Sequence, residues 1–150
     1  MPFVSVPWIH TADPSNVWPP KSVFRPSDPF AIVMGIRVSN DIISAGLRFN
    51  AVFQMVTPRN DPQGPAWFFI YSGGDSEILN TLDWRWDDVT FDWGTDFAIW
   101  FYWDHYSDAV SQVRGGEKDK GIFFVRGTID IQGSDLFAHS PEFWYKVRNR

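Results

Sequence analysis

The residues of this chain with the most chemistry in them fall between positions 75 and 96. Asp75, Glu77, Asp83, Asp87, Asp88, Asp92 and Asp96 are interleaved there with Trp84, Trp86, Phe91 and Trp93. Indole faces stack on the C–H faces of sugars, and neighbouring carboxylates accept hydrogen bonds from hydroxyls or hold a calcium ion. The same residues also make a good cover: Trp84, Trp86 and Trp93 can pack over an apolar strand while the Asp side chains stay in water. Two carboxylates such as Asp87 and Asp92 have the acid and base that glycoside hydrolysis needs, which gives a third reading, a hydrolase. Solvated Asp-rich segments are far commoner than catalytic pairs, so the cover is the favoured reading.

The remaining polar candidates are weaker. An EF-hand loop requires a Gly at its sixth position and a Glu at its twelfth, and no such loop occurs. Asp92 and Asp96 are then the best that a calcium site could draw on, and no metal is assigned. His10, His105 and His139 are dispersed, without HxH or HExxH spacing. Asp135, His139 and Ser140 share one loop and contain the residue types of a hydrolytic triad. Loop neighbours seldom reach triad geometry, and the GxSxG elbow is absent. They read as hydrogen-bonded loop residues, no cofactor is implied, and the chain is expected not to be an enzyme.

The element that must position the acidic segment follows it directly. Phe97-Ala98-Ile99-Trp100-Phe101-Tyr102-Trp103 is uncharged and can only be a strand. Alternation puts Phe97, Ile99, Phe101 and Trp103 on one face and Ala98, Trp100 and Tyr102 on the other. Phe101, in mid-strand, is read as core. The second face is apolar too and needs its own cover, either segment 75–96 or another subunit. Trp144 on the final strand points the same way as Trp100 and Tyr102, and these rings are expected to lie together.

Composition narrows the class. The chain has 150 residues, 18% aromatic, with 11 Pro, 11 Gly and no Cys. Aromatics favour strands and large interfaces, and the Pro and Gly punctuate many short elements. Without cysteine, disulfides, thiolate catalysis and zinc–sulfur sites are excluded. A net charge of −5 with no Lys/Arg cluster speaks against a nucleic-acid partner. No signal-like segment opens the chain, and no apolar run is long enough to span a membrane. The default location is the cytoplasm, with a mature secreted domain as the alternative.

In order, strands are expected over 3–9 (an edge strand, because of Pro7), 30–38, 48–57, 67–71, 97–103, 121–131 and 142–148. Val23-Phe24 is a brief bridge inside a proline-rich loop, 11–29. One or two short strands fit 84–93. Residues 39–46 read as a turn region, 107–113 as a single helical turn and 132–141 as a loop. In 30–38, Phe30, Ile32, Met34, Ile36 and Val38 face the core, while Ala31, Val33, Gly35 and Arg37 make a small-residue second face.

About seven strands with turns between them and no convincing helix fit an antiparallel two-sheet β-sandwich, one domain over 1–150. The closing run Gly121-Ile122-Phe123-Phe124-Val125-Arg126-Gly127-Thr128-Ile129-Asp130, followed by Ser140-Pro141-Glu142-Phe143-Trp144-Tyr145-Lys146-Val147, resembles the last two strands of the immunoglobulin-like β-sandwich superfamily. The bridging cysteines of antibody domains are absent. The resemblance implies a fold and a bias toward binding, and it assigns no active site. The function expected is a structural or protein-interaction domain that self-associates through an aromatic-rich sheet face. Its binding residues are Trp84, Trp86, Trp93, Trp100, Tyr102 and Trp144, with Asp92 and Asp96 at the rim. A carbohydrate-binding module with a Trp/Tyr platform is the alternative.

Overall fold

The computed structural model describes residues 2–45, 48–57, 66–78, 86–90, 94–111 and 120–149. Its strands are β1 (Val4–Ala12), β2 (Val23–Phe24), β3 (Phe30–Ser39), β4 (Arg48–Thr57), β5 (Ala66–Ile78), β6 (Trp86–Thr90), β7 (Gly94–Trp103), β8 (Gly121–Ile131), β9 (Phe137–His139) and β10 (Phe143–Val147). Two short helices, α1 (Asn40–Ser44) and α2 (Tyr106–Ala109), complete the described elements. None of the described helices is long and apolar enough to cross a membrane.

The strands form two sheets. The first has the order β1-β3-β7-β6, and the second β2-β10-β8-β4-β5 with β9 beside β8. Every pairing is antiparallel except the two-residue contact of β2 with β10. This is the expected β-sandwich. β1 sits at the edge of its sheet, as its proline requires.

Alternation decides what the sandwich buries. Ile9, Ile32, Met34, Ile36, Phe97 and Ile99 of the first sheet meet Phe49, Phe53, Met55, Phe123, Val125, Ile129 and Tyr145 of the second in one core cluster. The sheets pack tightly at Gly127, where an added Cβ would overlap the Met34 sulfur. Phe30 closes one corner, its ring 5.0 Å from both Phe24 and Tyr106. Tyr106 is fully buried, and its hydroxyl donates to the Met55 sulfur and meets the Tyr145 hydroxyl at 3.3 Å. Burial, with Tyr106 alongside, pushes the Tyr145 phenol well above its ordinary range, so it stays neutral.

Several expectations are revised. Ten strands are described rather than about seven, because β2, β6 and β9 each pair with a longer neighbour. β9 lies inside the expected loop 132–141. β5 runs through Ser72–Asp75 to Ile78 instead of ending there, and two register shifts against β4 absorb the irregularity. The turn region after β3 is helix α1, which turns Ile42 into the core. The helical turn expected over 107–113 starts at Tyr106, whose ring anchors it.

Phe101 faces the core as expected but is only half-buried, near the open end of β7. The fully buried ring is its partner Phe53, 5.0 Å away. Phe53→Ala is therefore expected to cost about 3–5 kcal/mol in a urea titration, and Phe101→Ala about half of that. Equal losses at the two positions would show that the β7 end is packed as tightly as the middle.

Candidate functional site

Register arranges the outer face of the first sheet in rows. Trp8, Gly35, Ala98 and Trp86 are successive partners across β1, β3, β7 and β6. His10, Val33 and Trp100 form the next row, and Ala12, Ala31 and Tyr102 the one after. On the other side of the first row, Arg37 pairs with Asp96. The middle of this face is made of small residues, and that matters at Gly35: a Cβ there would overlap the Trp8 indole. The missing side chain is what lets the ring lie against the sheet.

The loop after β1 supplies the cover. Val17 packs with Ala12, Val33 and Ala98, with Trp8 and Trp100 against them. The Asp13 carboxylate accepts from the backbone N–H and hydroxyl of Ser15, which starts the turn and holds that carboxyl below its ordinary range. His10 Nε2–H donates to the Val17 carbonyl at 2.8 Å. At the far end Lys21 N–H donates to the Thr11 carbonyl, and the Thr11 hydroxyl donates to the Lys21 carbonyl. The loop brings Trp18 over the sheet, with a cis peptide bond to Pro19. Trp8 then stacks on His10 at 5.2 Å and 14°, and Trp18 lies 5.1 Å from Trp8 and 4.5 Å from His10.

Beside this aromatic group is a cavity of about 250 Å³. Pro7, Trp8 and Trp18 border it on one side, and Arg37 and Asp96 on the other, with Ala98 between them. The guanidinium holds the carboxylate with two bonds, Nε to Oδ1 at 2.8 Å and Nη2 to Oδ2 at 3.0 Å. That pairing holds the Arg37 pKa above its ordinary value, and both side chains remain partly exposed, 44% and 30%.

The binding residues expected from the sequence are only partly gathered. Trp84, Asp92 and Trp93 lie outside the described residues. Trp86 is placed on β6 opposite Ala98, and Asp96 is bonded to Arg37. Trp100 is half-buried at the edge of the Val17 cluster, while Tyr102 is 65% exposed. Trp144 does not join them. It lies on β10 in the other sheet, and the outer faces of a sandwich look away from each other. The expected single patch of three rings is therefore two separate surfaces. Trp8, His10, Trp18 and Arg37 escaped the sequence reading, although Trp8 and His10 at alternate positions of a short strand, opposite a small-residue face, were a usable signal.

On the second sheet the exposed apolar group is Val23, Ile122 and Trp144, at 45%, 52% and 46%. They border a shallow hollow of about 280 Å³ with Ser22 and Lys146. On the same face the buried Phe124 is the cross-strand partner of Trp144, its ring 4.9 Å away, and Lys146 stands between Val23 and Ile122 as the partner of both. Further along the face a polar groove is lined by Gln54, Arg126, Thr128, His139, Ser140 and Glu142. Its side chains bond to structure: Arg126 Nε to Gln54 at 2.7 Å, and His139 Nδ1 with the Thr128 hydroxyl at 2.9 Å. Ser140 Oγ accepts from Gly127 N–H and donates to the Pro141 carbonyl, so it pins β8 instead of facing His139. His105 Nδ1 lies 2.9 Å from the Ser27 carbonyl, on a different loop. Among the described residues no three His, Cys, Asp or Glu converge as metal ligands would.

His10 gives this region a pH dependence. Burial lowers its pKa, and the bond to Val17 opposes that shift with a smaller effect. The folded chain thus keeps His10 neutral at a pH where the unfolded chain, titrating near about 6.5, takes up a proton. Stability contributed by this group is present above that pH and lost as the pH falls below it. Chemical denaturation at about pH 7.5 and 5.5 is expected to show a drop in stability that shrinks in the His10→Gln chain. An identical drop in both chains would contradict the assignment.

Comparison with known proteins yields structural likeness alone. No family model matches the chain, and no curated protein matches it. Among solved structures it is similar to the CooA pilin subunit of enterotoxigenic Escherichia coli, at 9% identity and a TM-score of 0.42, over 95% of this chain and 99% of that one. It is also similar to AggA, the major subunit of aggregative adherence fimbriae type I of Escherichia coli, at 11% identity and a TM-score of 0.35, over 97% and 95% of the two chains.

Proposed function

We propose that this chain is a non-catalytic interaction domain that associates with copies of itself through the outer face of its second sheet. The observation that carries the reading is the exposed group Val23, Ile122 and Trp144, three large apolar side chains around Lys146, with the buried Phe124 beside Trp144 on the same sheet face. Exposed apolar patches that are contiguous, rather than scattered single residues, mark contact surfaces. Trp is also the residue most concentrated at the centres of such contacts.

Charge says what fits there. Glu142, Trp144 and Lys146 are exposed at alternate positions, an acid, a ring and a base in one line along β10 and its entry. Two such lines brought face to face about a two-fold axis at Trp144 run antiparallel. Each Glu142 then meets the other copy's Lys146, and the two indoles meet at the axis. The surface is thus complementary to itself, which is what an isologous dimer requires. The charges fix orientation and register, and the rings supply most of the affinity. The reading rests on this surface and not on the coarse likeness to fimbrial subunits.

Sedimentation velocity from about 10 to 300 μM is expected to show a monomer–dimer equilibrium. Ile122→Thr with Trp144→Ser leaves a folded monomer throughout that range, whereas Tyr102→Ser on the opposite face leaves the equilibrium unchanged. A wild-type chain that stays monomeric at the top of the range, or a double variant that dimerises as before, overturns the proposal.

A further inference from the structure

The cavity between Trp8, Trp18 and the Arg37–Asp96 pair lies on the sheet face opposite the self-association surface and has a different chemistry. We infer that it is a binding site for one neutral pyranose ring. The size comes first. At about 250 Å³ it falls just under the roughly 300–1,000 Å³ of sites for drug-sized ligands, so it suits a single six-membered ring with its substituents.

The two sides of the cavity then select the ring. Trp8 and Trp18 offer indole surface, tilted 59° to each other, and neither is freely swinging. Trp8 is held on the bare backbone of Gly35 and stacked on His10. Trp18 is carried by a loop that His10 ties down through the Val17 carbonyl. Ring walls fixed in this way lose little freedom when a ligand enters. The partly exposed Trp18 indole accepts the slightly positive C–H groups on one face of a pyranose, and Trp8, tilted against it, bounds the ring's edge.

Opposite the indoles, the Arg37–Asp96 pair presents N–H donors and carboxylate acceptors next to each other. Its charges cancel, so a charged ligand gains no net attraction from it. A planar hydrocarbon ring would satisfy the indoles and strip water from the ion pair without replacing its hydrogen bonds. A sugar matches both sides: an apolar C–H face for the indoles, and adjacent hydroxyls that each donate to Asp96 and accept from Arg37. The sugar chemistry read from the sequence lay in residues 75–96; this site shares Asp96 with that segment and draws its rings from β1 and the following loop.

The proposal is tested with the full chain and a panel of methyl pyranosides (glucose, galactose, mannose and N-acetylglucosamine). Saturation-transfer NMR and tryptophan fluorescence are the readouts. At least one member is expected to bind with a Kd near about 1 mM, the range open to a single small ring. Trp18→Ala and Asp96→Asn should each weaken that sugar about tenfold or more, with thermal unfolding showing that both variants fold. Trp144→Ser, on the other face, should bind it like the wild type. No binding by any member at about 50 mM overturns the proposal, as does binding insensitive to both variants. Included as controls, p-cresol and tetramethylammonium should bind more weakly than the best sugar. Tighter binding of either would make this a pocket for an aromatic side chain or a cation instead, and the pyranose assignment would be wrong.

Discussion

Strand β7 puts Phe97 and Ile99 into the core and Ala98, Trp100 and Tyr102 on its far side, and water is a poor solvent for both sets. A sheet that is apolar on both faces has to be covered twice. The second sheet gives the first cover, with Phe53, Met55 and Phe123 filling the space between. The second cover is local: the chain leaves β1, turns at Asp13, and returns across the sheet with Val17 and Trp18. That return is possible because Gly35, Ala98 and Ala31 leave room on the face. Where it stops, Tyr102 is exposed, and where its edge meets the ion pair of Arg37 and Asp96, the cavity opens.

The two outer faces consequently differ in kind. The face of the first sheet is mostly closed by the chain itself, and what remains is a small concavity with fixed rings on one side and an ion pair on the other. On the face of the second sheet, Ile122 and Trp144 remain exposed among the described residues. This face is nearly flat, apolar at Val23, Ile122 and Trp144, and lined with opposite charges along β10. Concave and polar-ended surfaces suit small ligands, while flat ones with a ring at the centre suit another protein surface. One sandwich presents both without either disturbing the core.

Much of the sandwich was legible because period-two alternation reports facing directly. Phe30, Ile32, Met34, Ile36 and Val38 all point inward as read, and so do Phe123, Val125, Ile129 and Ile131. What alternation cannot report is which sheet a strand joins. Trp100 and Trp144 therefore looked like neighbours, although β7 and β10 lie in opposite sheets. The site was harder still. Arg37 and Asp96 are 59 residues apart, and only the β3–β7 register makes them a pair. The proline-rich loop carried no periodic signal, so its role as the cover of Ala98 could not be read from it. Tyr106 was hidden for a similar reason, because one apolar residue in a polar stretch looks like chance until α2 turns it inward. The Glu142-Trp144-Lys146 line, by contrast, was present in the sequence and needed only the knowledge that its side chains are exposed.

The self-complementary line along β10 is the central claim, and charge reversal tests it most directly. In the dimer, Glu142→Lys would set a lysine against the other copy's Lys146 at both ends of the contact. The dimer dissociation constant, measured by sedimentation, is then expected to rise several-fold, in keeping with about 0.2–1 kcal/mol for each exposed charge pair. Reversing both charges in the same chain, Glu142→Lys with Lys146→Glu, restores opposite signs across the axis and should bring the constant back toward the wild-type value. A double reversal that dimerises no better than the single one would contradict the proposed pairing.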